Sequence, residues 1–483
     1  FCLAFTFSLI ASFIVAITVV PLLAYLLLYS REIGEHKEGW LERIYVPVLH
    51  WTLDSGRNKA IVLAIALISM VVGFALFANR PQTFLPSFGE PQLTADISLP
   101  PGTKIAETDA KIRELEAFIH EALPEEQITR VQSVVGGSGL GLESLLLGST
   151  GVSENTGQIT IGVEASSAEL DALAQTLRAE AERIFGAENV SVSSVSLVEQ
   201  GGFGGFSLVV SGPQAELEAL DARVIDTLNG VPGLINVTST LAQAAGEDGG
   251  TIIRIDGESA LRYSGELETE NTLGVTAQAI EAVNAMSDLP TNVTVSAGFE
   301  SQQQTEGFRS LGIAMVIAIV IVTIILVATF QSFVGWLAII VSIAVAPVGA
   351  AILLTLTDRV LGISAMIGLL MLIGIVVTNA VVLIDRVQAN RKERGMNVHD
   401  ALMEGGSRRL RPILMTALAT ILALSPLAIG LSKGAIIAAE LGTVVIGGLV
   451  SSTLLTLIVT PIVYSLLVRE QARRAQAAAA AGD

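Results

Sequence analysis

The stretch GIVVTNAVVLID, residues 374–385, decides the fold, because two polar side chains, Thr378 and Asn379, interrupt an apolar run long enough to form a membrane helix. Crossing the hydrocarbon core of a bilayer takes about 20 apolar residues in a helix. Polar groups are costly in hydrocarbon, so they tend to face the interior of a helix bundle. Asp385 follows Thr378 by seven residues and falls on nearly the same helix face. These residues predict a membrane helix with one polar face.

Apolar runs of similar length recur along the 483-residue chain, of which 51% is hydrophobic and 15% charged. A soluble domain carries about 25% charged residues, so this composition indicates a membrane protein in contact with lipid. Seven spans are predicted, at residues 3–28, 58–78, 309–330, 334–356, 361–385, 412–432 and 437–467. The formal charge is −18, and most acidic residues lie in the segment 80–308. That acidic surface excludes nucleic acid as a partner, because phosphate binding needs a basic face.

Lysine and arginine cluster between the spans in four groups, within residues 31–59, 386–394, 408–411 and 469–474. Cytoplasmic loops of membrane proteins carry an excess of these residues. All four groups can be cytoplasmic at once, which places segment 80–308 outside and the C-terminus in the cytoplasm. Between the first two spans, residues 39–55 contain Trp40, Tyr45 and Trp51 and predict an amphipathic helix on the cytoplasmic interface. A connecting loop with aromatic anchors is the alternative.

The outer segment 80–308 shows one order of elements twice: strand, helix, strand, strand, helix, strand. The second copy, after the glycine-rich break at 201–205, predicts strands at 206–211, 235–239, 251–256 and 292–297 and helices at 214–228 and 272–286. This order is typical of a ferredoxin-like (split βαβ) sandwich. The fold class predicted is a polytopic α-helical membrane protein with an α+β extracytoplasmic region of two tandem ferredoxin-like subdomains.

Two segments are predicted to lack regular structure. Residues 136–157 are rich in Gly and Ser and form a mobile loop, and the alanine-rich end, residues 469–483, forms a disordered cytoplasmic tail. The loop carries an apolar patch that is a candidate substrate contact, made of Leu142, Leu145, Leu146 and Leu147.

Enzyme motifs are missing from the sequence. It has no P-loop, no nucleophile elbow and no metal-spaced cluster among its 4 His, and its single Cys, Cys2, excludes a cysteine metal site. We therefore expect no enzyme activity, no cofactor and no metal site. The polar residues inside the spans are the candidate functional residues, although Thr and Asn in membrane helices can also serve only to join helices. Asp385 is a candidate pathway carboxylate or a solvated residue at the end of its helix.

Three strings resemble helices of the resistance–nodulation–division (RND) exporters. Residues 374–385 resemble their tenth transmembrane helix, and RRLRPILMT, residues 408–416, resembles the start of the eleventh. IGGLVSSTLLT, residues 446–456, resembles the twelfth, and Pro-Pro-Gly-Thr at 100–103 is typical of the first outer subdomain of the second half. The resemblance covers nearly the whole chain. It identifies the chain as similar to the C-terminal half of such an efflux transporter, from the end of the sixth helix through the twelfth.

The resemblance implies a domain organisation. Residues 1–79 would hold helices six and seven with the interfacial helix 39–55, and residues 309–468 would hold helices eight to twelve. Residues 80–200 and 201–308 would be the first and second porter-like outer subdomains. Many relatives insert a docking subdomain into the second of these, but residues 256–272 leave little room for one. We therefore expect the docking subdomain to be absent or vestigial, which disfavours an outer-membrane duct as a partner.

The resemblance also implies proton-driven export (antiport) from the bacterial cytoplasmic (inner) membrane, by a homotrimer that could work with a periplasmic adaptor. The proton relay positions would be Thr378, Asn379, Arg409 and Thr416, facing two acidic residues on a fourth helix that this chain does not contain. Because the chain opens at Phe1 within an apolar run, we expect an N-terminal half in the same or a separate chain. Drug-exporting relatives commonly carry lysine where Thr378 stands, and threonine can only hydrogen-bond.

Amphiphilic small molecules are the expected substrates, because the apolar loop is aliphatic. Heavy metal is disfavoured, because the outer segment has no Cys and few Met to serve as soft ligands. The alternatives are an RND-like transporter of lipid or protein and a non-transporting, membrane-anchored sensor or scaffold.

Overall fold

The computed structural model describes residues 2–28, 39–83, 92–122, 128–136, 154–163, 167–186, 189–195, 206–241, 253–255, 257–267, 269, 271–287, 289–430 and 436–481. The chain divides into two compact units, residues 1–48 and residues 49–483. The first unit contains helix α1 (Cys2–Leu28) and the start of helix α2 (Trp40–Asp54). The predicted helix at 39–55 is therefore confirmed as a helix.

In the part of the chain that the structure describes, seven helices are long and apolar enough to cross a membrane, as predicted. They are α1 and six helices of the second unit: α3 (Gly56–Ala78), α8 (Phe299–Phe330), α9 (Phe333–Leu356), α10 (Ile363–Glu393), α11 (Val398–Ile429) and α12 (Ile436–Ala481). Side-chain caps set some of the helix starts. The Asn397 side chain, for example, accepts from the backbone N–H of Asp400 (2.8 Å) at the start of α11.

Helix α12 corrects one prediction, because it continues to Ala481. Residues 469–481 are therefore helical in the structure rather than disordered. The alanine-rich composition that suggested low complexity is also the composition with the highest intrinsic helix propensity.

Helices α9 and α12 cross at glycines. A Cβ on Gly447 would lie 2.8 Å from Leu353 Cβ and would collide with the carbonyl oxygen of Gly349. The Ser451 hydroxyl accepts from the Gly349 backbone N–H (3.1 Å), which adds a polar contact at the crossing. Small residues allow this close approach, and close helix packing is a main source of stability within a bilayer.

The subdomain predicted to be the first outer one, named the first outer unit, is one four-stranded antiparallel sheet with two helices. Its elements run β1 (Gln92–Ser98), α4 (Ile105–Ala122), β2 (Ile128–Val135), β3 (Thr156–Val163), α5 (Ser167–Phe185) and β4 (Val190–Val195), and the sheet order is β2-β3-β1-β4. Alternate residues of β1 and β3, such as Leu93 and Ile161, are fully buried against Leu115 of α4. The period-two pattern in the strands thus makes one sheet face, and the helices cover it.

The second outer unit repeats this arrangement with one extra strand. It contains β5 (Phe206–Ser211), α6 (Gln214–Asn229), β6 (Leu234–Ser239), β7 (Ile253–Ile255), β8 (Glu258–Leu267), α7 (Thr272–Asn284) and β9 (Thr294–Ala297). The sheet order is β6-β8-β5-β9, with β7 paired to β8. The predicted strand at 251–256 is therefore only the short β7. The long central strand β8 was missed, because its charged and small residues weaken the alternation that identifies a strand.

A buried polar cluster lies in the second outer unit. Tyr263 of β8 is fully buried, and the Ser239 hydroxyl donates to the Asp221 carboxylate (3.0 Å). Burial and the neighbouring Asp221 raise the pKa of the Tyr263 phenol, so the ring stays neutral at physiological pH.

Candidate functional site

The candidate relay residues lie on α10 and α11, which pack side by side. Asn379 is buried, and the Thr416 hydroxyl lies 3.3 Å from its side-chain oxygen, which can accept a hydrogen bond across the two helices. The same hydroxyl also lies 2.9 Å from the carbonyl oxygen of Ile413, one turn earlier in α11. A single hydroxyl hydrogen is thus shared between an acceptor in its own helix and one in the neighbouring helix. Two residues 37 positions apart in sequence form one interhelical polar contact.

Thr378 does not join this contact. Its side chain is exposed, and its hydroxyl donates to the carbonyl oxygen of Ile375 in its own helix (2.7 Å). Asp385 and Gly374 are also exposed on the same side of α10, whereas Asn379 is turned into the bundle. The polar face predicted from the spacing of Thr378 and Asp385 is therefore present. This face of α10 is not covered by any other described residue, whereas Asn379, the residue next to Thr378, is buried.

Arg409 lies on α11 seven residues before Thr416 and is half-buried. Its Nε is buried and contacts no acceptor among the described residues. Nearby, Glu404 of α11 is within 4.0 Å of three guanidinium groups, those of Arg386 (4.0 Å), Arg394 (2.5 Å) and Arg408 (2.9 Å). Arg386 thus approaches Glu404, and Asp385 stays exposed.

Sequence reasoning missed a second polar site, at the opposite end of the helices. Glu440, the single acidic residue within α12 before residue 469, is buried. Arg359, in the connection between α9 and α10, donates to the carbonyl oxygens of Ala428 (2.6 Å) and Ala439 (2.7 Å) and to the Thr443 hydroxyl. Burial lowers the pKa of the Arg359 guanidinium, and the negative charge of Glu440 acts against that shift. A lone carboxylate close to the start of a predicted span was the signal that could have identified this site.

A third cluster holds three potential metal ligands that the sequence did not indicate. The sequence separates His50 and Asp54 from His399 by more than 340 residues, but the structure places one ligand atom of each within 4.8 Å of the others. Two imidazoles and a carboxylate are a metal-binding combination. The spacing of these residues in the sequence could not have predicted this group, because helices far apart in the chain bring the three side chains together.

The predicted substrate patch, Leu142, Leu145, Leu146 and Leu147, lies outside the described residues. Its role stays a prediction.

Comparison with known proteins identifies the family. The family model of the AcrB/AcrD/AcrF family matches residues 1–248 and residues 239–468. The chain belongs to this family. Its members are RND transporters, and the seven long apolar helices among the described residues agree with a membrane-embedded, multi-pass protein.

Individual relatives agree with this assignment. The chain is 30% identical, over 560 residues, to the swarming motility protein SwrC of Bacillus subtilis, an alignment that covers 97% of this chain and 52% of SwrC. Crystal form II of a heavy metal efflux pump has a similar fold, with a TM-score of 0.70 and 19% identity over 96% of this chain and 55% of that one. Crystal form I gives a TM-score of 0.65 and 19% identity over 88% and 52%. The chain thus spans about half the length of these proteins.

Proposed function

We propose that this chain is the C-terminal half of a proton-driven exporter of amphiphilic small molecules, in a bacterial cytoplasmic membrane. Segment 80–308 would lie outside the membrane and the C-terminus in the cytoplasm. The observation that carries the proposal is the Thr416–Asn379 contact within the membrane-spanning bundle. Membership of an exporter family supports the direction of transport, and a mere anchor has no need of polar residues in hydrocarbon.

The exposed face of α10 is where proton coupling would be completed. Thr378 and Asp385 are exposed there, beside the buried Asn379. We infer that helices of the preceding half pack on this face and bring carboxylates to Thr378, Asn379 and Thr416. Protonation of such a carboxylate would change which of these groups it bonds to. Thr378 carries no charge, so the only charged residue among the four relay positions is Arg409, whose buried Nε has no hydrogen-bond partner among the described residues.

The two outer units are proposed to be ferredoxin-like porter subdomains without a docking insertion. Their βαββαβ order and antiparallel sheets support this. The aligned length of 560 residues exceeds the 483 residues of this chain, so SwrC carries additional segments. The two matches to the family model meet at residues 239–248, between β6 and β7. The junction of the two matches supports the absence of an insertion at that point, and the longer alignment agrees with segments in SwrC that this chain lacks. The assembly would be a homotrimer, with a periplasmic adaptor but without an outer-membrane duct.

The substrate would be amphiphilic rather than metallic. Although the two solved structures are those of heavy metal efflux pumps, their 19% identity carries only the fold. Soft metal ions are bound by Cys and Met, and residues 80–308 contain no Cys and only Met286. The aliphatic patch at residues 142–147 suits an apolar ligand instead.

Reconstitution of the full-length protein in proteoliposomes tests the proposal. An imposed pH gradient should drive transport of an amphiphilic fluorescent dye, and Asn379→Leu should lower the driven rate by about tenfold, which corresponds to about 1.4 kcal/mol. Thr329→Val is the control, because in the described part of the chain that hydroxyl bonds to one acceptor, the Ile325 carbonyl oxygen of its own helix (2.8 Å). Transport by the wild type that ignores the pH gradient, or an unchanged rate in Asn379→Leu, would refute proton coupling through this site.

A further inference from the structure

The end of α2 and the start of α11 meet at His50, Asp54 and His399. His50 and Asp54 are one helical turn apart, with 2.8 Å between His50 Nδ1 and Asp54 Oδ2. On the other side, His399 Nε2 is 3.6 Å from Asp54 Oδ1. The two imidazole rings are nearly perpendicular, with their centroids 5.8 Å apart. The carboxylate therefore lies between two rings from distant parts of the chain.

We propose that these three residues bind a divalent transition-metal ion of the Zn²⁺, Co²⁺ or Ni²⁺ type. Zn²⁺ binds imidazole nitrogen and carboxylate oxygen at about 2.0–2.2 Å in tetrahedral geometry, which puts neighbouring ligand atoms about 3.4 Å apart. The observed separations of 2.8 and 3.6 Å bracket this value. The side chains are 41–58% exposed, so small rotations can close the site, and water can take the fourth position.

The ligand set selects the class of metal. Two nitrogen donors and one oxygen donor suit borderline first-row ions, whereas Mg²⁺ and Ca²⁺ prefer oxygen ligands throughout. The site therefore differs in chemistry from a soft-ligand site made of Cys and Met. It also lies outside the outer segment 80–308, so it is independent of the substrate proposed above.

A carboxylate beside His399 supports the ligand role of that ring. The Asp400 carboxylate lies 3.5 Å from His399 Nδ1 and also accepts from the Asn397 side-chain amide (2.7 Å). A proton held on Nδ1 by Asp400 leaves Nε2, the atom facing Asp54, free to bind a metal. Histidine ligands of metals are commonly oriented in this way by a carboxylate on the second nitrogen.

The position of the site indicates its effect. An ion there would join the C-terminal turn of α2 to the first turn of α11, the helix that carries Arg409 and Thr416. A cleft lined in part by Leu53, Lys59 and Leu402 reaches His399. Lys59 donates to the Ser465 hydroxyl (2.7 Å). Metal binding would thus stabilise one arrangement of these two helices.

The test uses the full-length protein, purified in detergent without a polyhistidine tag and stripped with a chelator. Titration with Zn²⁺ by calorimetry, and with Co²⁺ by visible absorption, should show one high-affinity ion per chain, which excess Mg²⁺ does not displace. His50→Gln and His399→Gln should each weaken Zn²⁺ binding by at least about tenfold, and Asp400→Asn should weaken it by about tenfold through loss of orientation. His120→Gln, in helix α4 of the first outer unit, is the matched control and should bind as the wild type does.

The proposal is overturned if the wild type binds no Zn²⁺ below millimolar concentration, which would leave the cluster as a plain His–Asp contact. It is equally overturned if His50→Gln and His399→Gln bind as tightly as His120→Gln does. Asp54→Asn, which keeps the size of the side chain, provides a second variant if a histidine substitution prevents folding. Because binding is measured without transport, failure here leaves the proposed export function untouched.

Discussion

Replacement of Thr416 by valine separates a structural hydrogen bond from a functional one. Valine has nearly the shape of threonine but lacks the hydroxyl, so the variant removes the contact with Asn379 and the contact of the same hydroxyl with the Ile413 carbonyl oxygen in its own helix. Thr420→Val is the matched control. Thr420 lies one turn further along α11, and among the described residues its hydroxyl donates to one acceptor, the Thr416 carbonyl oxygen of its own helix (2.9 Å).

The structural cost of Thr416→Val is small. Hydrogen bonds between membrane helices contribute about 0.6 kcal/mol on average and at most about 1.7 kcal/mol. The distance of 3.3 Å is long for a hydroxyl donor, so the lower figure applies. A change of about 0.6 kcal/mol alters an equilibrium by about threefold and leaves a membrane protein of ordinary stability folded. A larger loss of transport must therefore come from the relay itself.

The assay is dye transport by the full-length protein in proteoliposomes, driven by an imposed pH gradient, with proton flux followed by an enclosed pH indicator. We expect Thr416→Val to lower both rates by more than tenfold and Thr420→Val to lower them by less than threefold. Equal amounts of folded protein, judged by size-exclusion chromatography, are required in each sample. A Thr416→Val rate within threefold of the wild type would refute the relay role and leave the hydroxyl as a simple contact between helices.

Three further predictions concern stability. Gly447→Ala should lower the unfolding midpoint in detergent, because overpacking costs about 1–3 kcal/mol. Gly312→Ala is the control and should leave the midpoint unchanged, because an added Cβ there meets nothing within 4 Å. Equal midpoints for the two variants would contradict the close crossing of α9 and α12. Arg359→Ala should destabilise the protein by about 1.5–3 kcal/mol, because it removes charge-assisted hydrogen bonds to the carbonyl oxygens of Ala428 and Ala439. The double variant with Glu440→Gln should recover part of that loss, and no recovery would mean that the two charges are not coupled. Ser239→Ala should lower the stability of the second outer unit by about 1.5–3 kcal/mol, because it deletes a hydrogen bond to a buried carboxylate. The loss should appear as faster hydrogen–deuterium exchange in residues 206–267. Unchanged exchange would mean that this hydrogen bond does not stabilise the unit.

The membrane helices and most of the outer elements could be predicted from the sequence, because each rests on a local rule. An apolar run of about 20 residues has few alternatives to a membrane helix, and the strands β1 and β3 show their period of two within a few residues. Strand β8 could not be predicted in this way. It becomes a central strand because β5 and β6 pair with it on either side, and those partners come from elsewhere in the chain.

The same distinction between local pattern and tertiary packing applies to the candidate site. The sequence by itself determined that Thr378, Asn379 and Asp385 are polar residues in a membrane helix, because hydrophobicity and helical spacing are properties of a short segment. Only the tertiary structure decided that Asn379 is buried against Thr416 while its neighbour Thr378 is exposed. Consecutive helix positions point about 100° apart, and only the packing of α11 selects which of them it covers. The same holds for His50 and His399, since the pairing of α2 with α11 follows from how the helices pack and from no pattern in either segment.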